Sequence, residues 1–237
     1  MKRKTLTEKI EVIMRYTFIF MTVLAMIYGS LQIDGDPIQW EGMYSLALAI
    51  VLFALPTMFS KRTKIKIPAI FQITFLLFIF ASLYLGEVHD FYYKISWWDS
   101  MLHSSSAVLL GYIGFLLIFT LNRDKNIHLK LSPFFIALFT FCFAMTLGTI
   151  WEVLEFLIDE FFGVNMQKAR YLEYVYESFD TRLGVLDTMK DIIVNSIGAL
   201  FVSIMGYFYC KKNMIKEHTF WKLKDQFIKE NPDLFKE

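Results

Sequence analysis

Three carboxylates close the most apolar run of this sequence. Phe134 to Leu147 is almost wholly apolar, and the stretch Gly148-Thr-Ile-Trp-Glu-Val-Leu-Glu-Phe-Leu-Ile-Asp159 then brings in Glu152, Glu155 and Asp159. Their spacing is i, i+3, i+7, so a helix places all three on one face. Asp187, Asp191 and Asn195 follow at i, i+4, i+8. On a helix rising ~1.5 Å per residue, Asn195 lies ~12 Å along from Asp187. Asp99 and His103 also share a face at i, i+4. Carboxylates with an imidazole suit a hard divalent cation, which prefers oxygen ligands. Such a cation, or a suitably placed carboxylate, can activate water or a hydroxyl. Glu152, Glu155, His103, Asp99 and Asp191 are the candidate metal ligands. Glu152, Glu155, His103 and Asp191 are the candidate catalytic groups, with Asn195 orienting them. Glu87, Asp90, Asp187 and Gln167 are further candidates for the same site. A zinc-protease site is disfavoured, because no HxxxH or HExxH occurs.

Plainer readings exist for each. Glu152, Glu155 and Asp159 could be helix-end carboxylates solvated at an interface, and solvation is the expectation for Asp159. Asp187 could be an N-cap before Thr188. His103 could be a packing histidine bonded to a serine. Ser104, Ser105 and Ser106 have no GxSxG elbow and read as helix-packing residues. Trp97 and Trp98 read as an interface anchor.

The elements that must position these groups are membrane spans. Hydrophobic residues make up 56 % of the 237, with 25 Phe, against a globular norm of roughly 45–50 %. A span needs roughly 20 apolar residues to cross ~30 Å of hydrocarbon. Six stretches qualify, at about Val12–Ile33, Met43–Phe59, Pro68–Leu85, Ser100–Leu121, Leu131–Ile158 and Asp187–Cys210. Arg15 is expected to snorkel to the headgroups. The fold class is therefore all-α, a polytopic six-helix transmembrane bundle over residues 1–210. A basic amphipathic cytoplasmic tail follows over 211–237, with Phe220, Trp221, Leu223 and Phe227 as its apolar stripe. The segment between Glu160 and Gly184 is polar and partly helical, with Tyr171, Tyr174 and Tyr176 at the interface. The N-terminal Met-Lys-Arg-Lys has no cleavage site after it and opens an uncleaved first span. Cys142 and Cys210 read as buried free thiols.

Loop charge sets the orientation. Lys2, Arg3 and Lys4, then Lys61, Arg62, Lys64 and Lys66, then Arg123, Lys125 and Lys130, then Lys211 and Lys212 mark alternate connections. The others are acidic, including the one that begins at Asp34. The positive-inside rule then puts both termini in the cytoplasm. All the candidate site residues fall at the outer ends of spans three to six. Gly86, Gly111, Gly148 and Gly198 would let helices approach closely there.

The set Gly86-Glu87, Asp90, Trp98-Asp99, His103, Trp151-Glu152, Glu155-Phe156, Asp159, Met166-Gln167, Asp187-Thr188, Asp191, Asn195 and Gly198 resembles the YjdF-like family of predicted bacterial membrane proteins. The element Asp191 to Gly198 is also similar to the sixth-span region of VanZ-like proteins. The resemblance implies a multi-pass protein of a bacterial plasma or inner membrane and supplies no reaction.

Three functional classes fit. The first is an enzyme in the outer leaflet acting on a lipid or a lipid-linked envelope precursor. The second is a small transporter or proton-coupled carrier, although carriers place polar groups near the midplane and on both sides of it. The third is a structural or partner-binding membrane protein held together by its polar cluster. The lipid bilayer is the expected partner. No basic tract is large enough for nucleic acid.

Overall fold

A computed structural model describes residues 5–30, 37–121, 131–176, 182–212 and 219–234. The basic residues Lys2 to Lys4, the linker start at Asp34, and the basic linker with Arg123, Lys125 and Lys130 lie outside them. So do the side chains of Lys212, Tyr171, Tyr174, Tyr176, Phe220, Trp221 and Leu223. The described residues form helices and no strand. Six of the helices are long and apolar enough to cross a membrane. In lipid a helix satisfies its backbone polar groups within itself, which is why such sequences span as helices.

The helices fall into two compact units. The first contains α1 (Leu6–Ser30), α2 (Pro37–Thr63), α3 (Ala69–Ile79) and the short α4 (Phe91–Lys94). From Phe80 to Val88, α3 continues as a π-helix. Its core is Ala49, Phe53, Leu76 and Ile79, with Phe18 and Phe80 packed on them. The rings of Phe18 and Phe80 stack 4.4 Å apart.

Arg15 finds partners among the helices of this unit. Its side chain is buried against Glu11, one turn earlier on α1, and donates to Gln72 Oε1 on α3 at 2.6 Å. An internal partner at i−4 and a neighbouring amide hold the guanidinium inside, where both charges are compensated.

Residues Lys222–Asp233 belong to this unit as well. After the tail helix α9 (Thr219–Glu230), Asn231 donates to the Lys66 carbonyl at 2.8 Å and accepts from the Lys66 N–H at 2.6 Å. The side-chain amide thus copies the pairing of a strand edge.

The second unit is built on α5 (Trp98–Leu121), α6 (Pro133–Phe162) and α8 (Leu183–Lys212), with the short α7 (Ala169–Tyr176) before α8. Ser132 caps α6 by accepting from the Phe135 N–H at 3.1 Å, and Pro133 takes the first turn, where its missing N–H costs little. Gly163 ends the helix at φ 65, a left-handed position that glycine occupies without strain. α5, α6 and α8 meet through Ala107, Ala144 and Ala199. Small residues permit this closeness. A methyl added to Gly198 would stand 2.6 Å from the Ser104 carbonyl oxygen, and one added to Gly148 would stand 2.7 Å from Asn195 Nδ2. Cys142 is exposed rather than buried, on the outward side of α6, and Cys210 is half-buried. α6 carries Thr140, Ala144, Gly148, Glu152 and Glu155 on its buried face. Cys142 falls off that stripe.

Candidate functional site

His103 stands at the centre of a carboxylate ring drawn from all three long helices of the second unit. α5 supplies Asp99 and His103, α6 supplies Glu152 and Glu155, and α8 supplies Asp187 and Asp191. Helical periodicity turns each group inward from its own helix, and the Ala and Gly contacts bring the three faces together. His103 Nδ1 lies 3.4 Å from Glu152 Oε1. On the other side of the ring, Nε2 lies 3.4 Å from Asp99 Oδ1 and 3.9 Å from Asp191 Oδ2. Two triads, Asp99–His103–Asp191 and His103–Glu152–Glu155, each bring one ligand atom per residue within 4.8 Å of one another. Either triad is close enough to hold a metal ion, and His103 is common to both.

Burial is nearly complete. Glu152 is 2 % exposed, Asp191 1 % and Asn195 2 %. Both oxygens of Glu152, both of Asp191 and Oδ1 of Asn195 make no hydrogen bond among the described residues. Thr188 stands beside Glu152; its hydroxyl accepts from Gln167 Nε2 at 3.0 Å, which leaves its own proton free to turn toward that carboxylate. Buried polar atoms are normally hydrogen-bonded, and a buried carboxylate without a partner is costly. Glu155 differs, since Trp151 Nε1 donates to its Oε1 at 2.8 Å.

Asp187 corrects the sequence reading. The Leu186 N–H already donates to the Arg182 carbonyl at 2.8 Å, so α8 is running before Asp187, which is a buried interior residue and not an N-cap. Asp159 is half-buried and is not among the ring's clustered ligands. Its carboxylate accepts from the Met166 N–H at 2.5 Å and the Gln167 N–H at 2.9 Å. It thereby folds the 163–168 loop back over the end of α6, and Gln167 ties that loop to α8 through Thr188. The serines behave as packing residues. Ser105 and Ser106 hydroxyls donate to the Leu102 and His103 carbonyls of their own helix. Glu87 and Asp90 belong to the first unit, where Asp90 makes an exposed pair with Lys94 at 3.3 Å.

Two lysines at the site were not singled out from sequence. Lys190 Nζ is 3.8 Å from Asp99 Oδ2. Lys168 is buried, donates to the Asn165 carbonyl at 3.2 Å, and lies within electrostatic reach of Asp99. Their signal was in the sequence, since both stand among the carboxylates Asp159, Glu160, Asp187 and Asp191 that flank the last connection.

A multi-pass membrane protein with a buried, carboxylate-rich histidine site is the class that fold and geometry define. The chain belongs to the family described as "Predicted membrane protein (DUF2238)", whose model matches residues 13–212. A relative from Thermotoga maritima, described as an "Uncharacterized protein", is 23 % identical over 154 residues, which is 64 % of this chain and 69 % of its own length. No solved structure matches.

Proposed function

We propose that this protein is a membrane-embedded enzyme in which His103 and its ring of carboxylates hold a divalent cation and act on a lipid or a lipid-linked envelope precursor. The observation that carries this reading is the pair Glu152 and Asp191. Their four carboxylate oxygens are buried on opposite sides of one imidazole, with no well-formed hydrogen bond among the described residues. Five acidic groups share the site with one imidazole and two ammonium groups. A dication offsets the remaining negative charge where added hydration cannot. Oxygen-rich ligation favours magnesium, manganese or calcium over zinc. Bound there, the cation would lower the pKa of a coordinated water or hydroxyl, and a neighbouring carboxylate would take its proton. The likeness of Asp191 to Gly198 to VanZ-like proteins adds no reaction to this.

The setting belongs to the same proposal. The protein sits in a bacterial plasma membrane with both termini in the cytoplasm, and the ring opens to the outer leaflet.

Elemental analysis of the purified protein tests the reading. About one equivalent of divalent metal is expected, falling below a tenth of that in Glu152→Gln and His103→Ala. Metal content that is absent in the wild type, or unchanged in both variants, would refute it. If both variants instead unfold in detergent, the ring is architectural.

A further inference from the structure

The two sides of the His103 ring differ in access. On the Nδ1 side, Glu152 and Glu155 are buried and Glu155 is tied to Trp151. On the Nε2 side, the Asp99 side chain is 16 % exposed and that of Lys190 is 42 % exposed. This second side therefore reaches the protein surface, where an outside ligand can approach. Lys190 stands there with its Nζ 3.8 Å from Asp99 Oδ2, and Lys168, whose Nζ donates to the Asn165 carbonyl, is within electrostatic reach of the same carboxylate.

Resting on the cation reading above, we propose that the site takes a phosphate-bearing head group, bound between a cation on the Nε2 side of His103 and the ammonium groups of Lys190 and Lys168. The charge arrangement supports this. A cation held by Asp99 and Asp191 competes with two ammonium groups for the same carboxylates, and a polyanionic ligand relieves that competition. A phosphate monoester has three terminal oxygens, enough to meet the cation and both lysines together. A carboxylate has two, and a neutral head group has no use for either lysine. Divalent ions of this kind are commonly shared between protein carboxylates and substrate phosphate, and lysine serves phosphate as a compact point charge.

The loop that holds Lys168 is fixed from both flanks. Asp159 anchors Met166 and Gln167 to α6, and Gln167 anchors the loop to Thr188 of α8. Lys168 itself has φ 52, a left-handed position that is unfavourable for a lysine. That conformation turns the chain where the loop passes into α7. The phosphate could belong to a lipid or be free in solution, and the same measurement separates the two.

The experiment titrates Mn2+ into the full chain in neutral detergent, read by electron paramagnetic resonance at matched free Mn2+. The titration is repeated with short-chain phosphatidic acid, with short-chain diacylglycerol and with inorganic phosphate. Phosphatidic acid is expected to tighten Mn2+ binding at least tenfold, and diacylglycerol less than twofold. An equal gain from inorganic phosphate would support the phosphate site and assign it to a soluble ligand. In Lys190→Ala, Mn2+ alone should bind as well or better, because a competing charge is gone, while the phosphate gain falls below threefold. Lys190→Arg should keep most of the gain, and Lys168→Met should lose it. Mn2+ binding that no phosphate compound alters, or a full gain in both lysine-deleted variants, overturns this proposal and leaves the cation reading standing. Failure of the wild type to bind Mn2+ removes both.

Discussion

His103 addresses a different carboxylate from each ring nitrogen, so substitutions on its two sides should separate. Removing a group that only orients a metal-bound histidine typically costs 10–100-fold in metal affinity. If the cation sits on the Nε2 side, Asp191→Asn should abolish Mn2+ binding, whereas Glu152→Asp should weaken it by about tenfold. Isothermal titration distinguishes the two, and equal effects would place the ion between the triads. Arg15 offers a contrast with no proposed chemistry. Arg15→Ala leaves Glu11 buried without its partner and should lower stability by about 3–5 kcal/mol, as for other broken buried pairs. Thermal melting in detergent checks it, and Glu11→Gln with Arg15→Met should recover much of the loss.

Much of this residue-scale picture was legible in the sequence. Asp99, His103, Glu152, Glu155 and Asp191 each lie at the same end of their spans, and topology alone predicts that they meet. The contact of Arg15 with Gln72 was not legible, because the two are distant in sequence and hydropathy says nothing about which helices are neighbours. Lys168 escaped notice because its approach to Asp99 depends on a loop conformation, not on periodicity.

At the scale of elements, the close contacts among α5, α6 and α8 decide whether the ring exists. Gly198→Ala sets a methyl against the fixed Ser104 carbonyl, while Gly148→Ala sets one against the end of the Asn195 side chain. Overpacking typically costs about 1–3 kcal/mol. Gly198→Ala should therefore lower the melting temperature more than Gly148→Ala, because backbone cannot swing aside. Gly148→Ala should still reduce Mn2+ affinity if Asn195 supports the site. The 163–168 loop is tested separately. Asp159→Ala removes two hydrogen bonds to backbone N–H groups, each worth about 1.5–3 kcal/mol when the acceptor is charged. Faster proteolysis within 163–168, with the long helices intact, is the expected result. The helices themselves could be read from apolar length, but their ends could not. α8 begins at Leu183 and not at Asp187, because the apolar Leu183-Gly-Val-Leu186 run continues the helix without a polar cap to announce it.

At the scale of the whole molecule, each compact unit contributes three of the six spans. The orientation proposed above predicts that single cysteines placed at Lys64 and at Asn165 label from opposite sides of sealed vesicles. For this measurement the native Cys142 and Cys210 are replaced by serine. Labelling from one side would reverse or break the assignment. Cation binding to the folded state should also raise the melting temperature, since a ligand at a hundred times its Kd stabilises by about 2.7 kcal/mol. Chelation should return the wild type to the melting temperature of His103→Ala.

The 30 residues of α6 would run on the order of 45 Å at ~1.5 Å per residue, well past the ~30 Å of a hydrocarbon core. Such a helix must lean or protrude, and the choice follows the thickness of the lipid around it. Glu152 and Glu155 ride on the last turns of that rod. Longer acyl tails would draw them under, and shorter ones would lift them into the headgroups. Bilayer thickness would then set the depth at which the His103 ring lies, with no part of the protein needing to change shape.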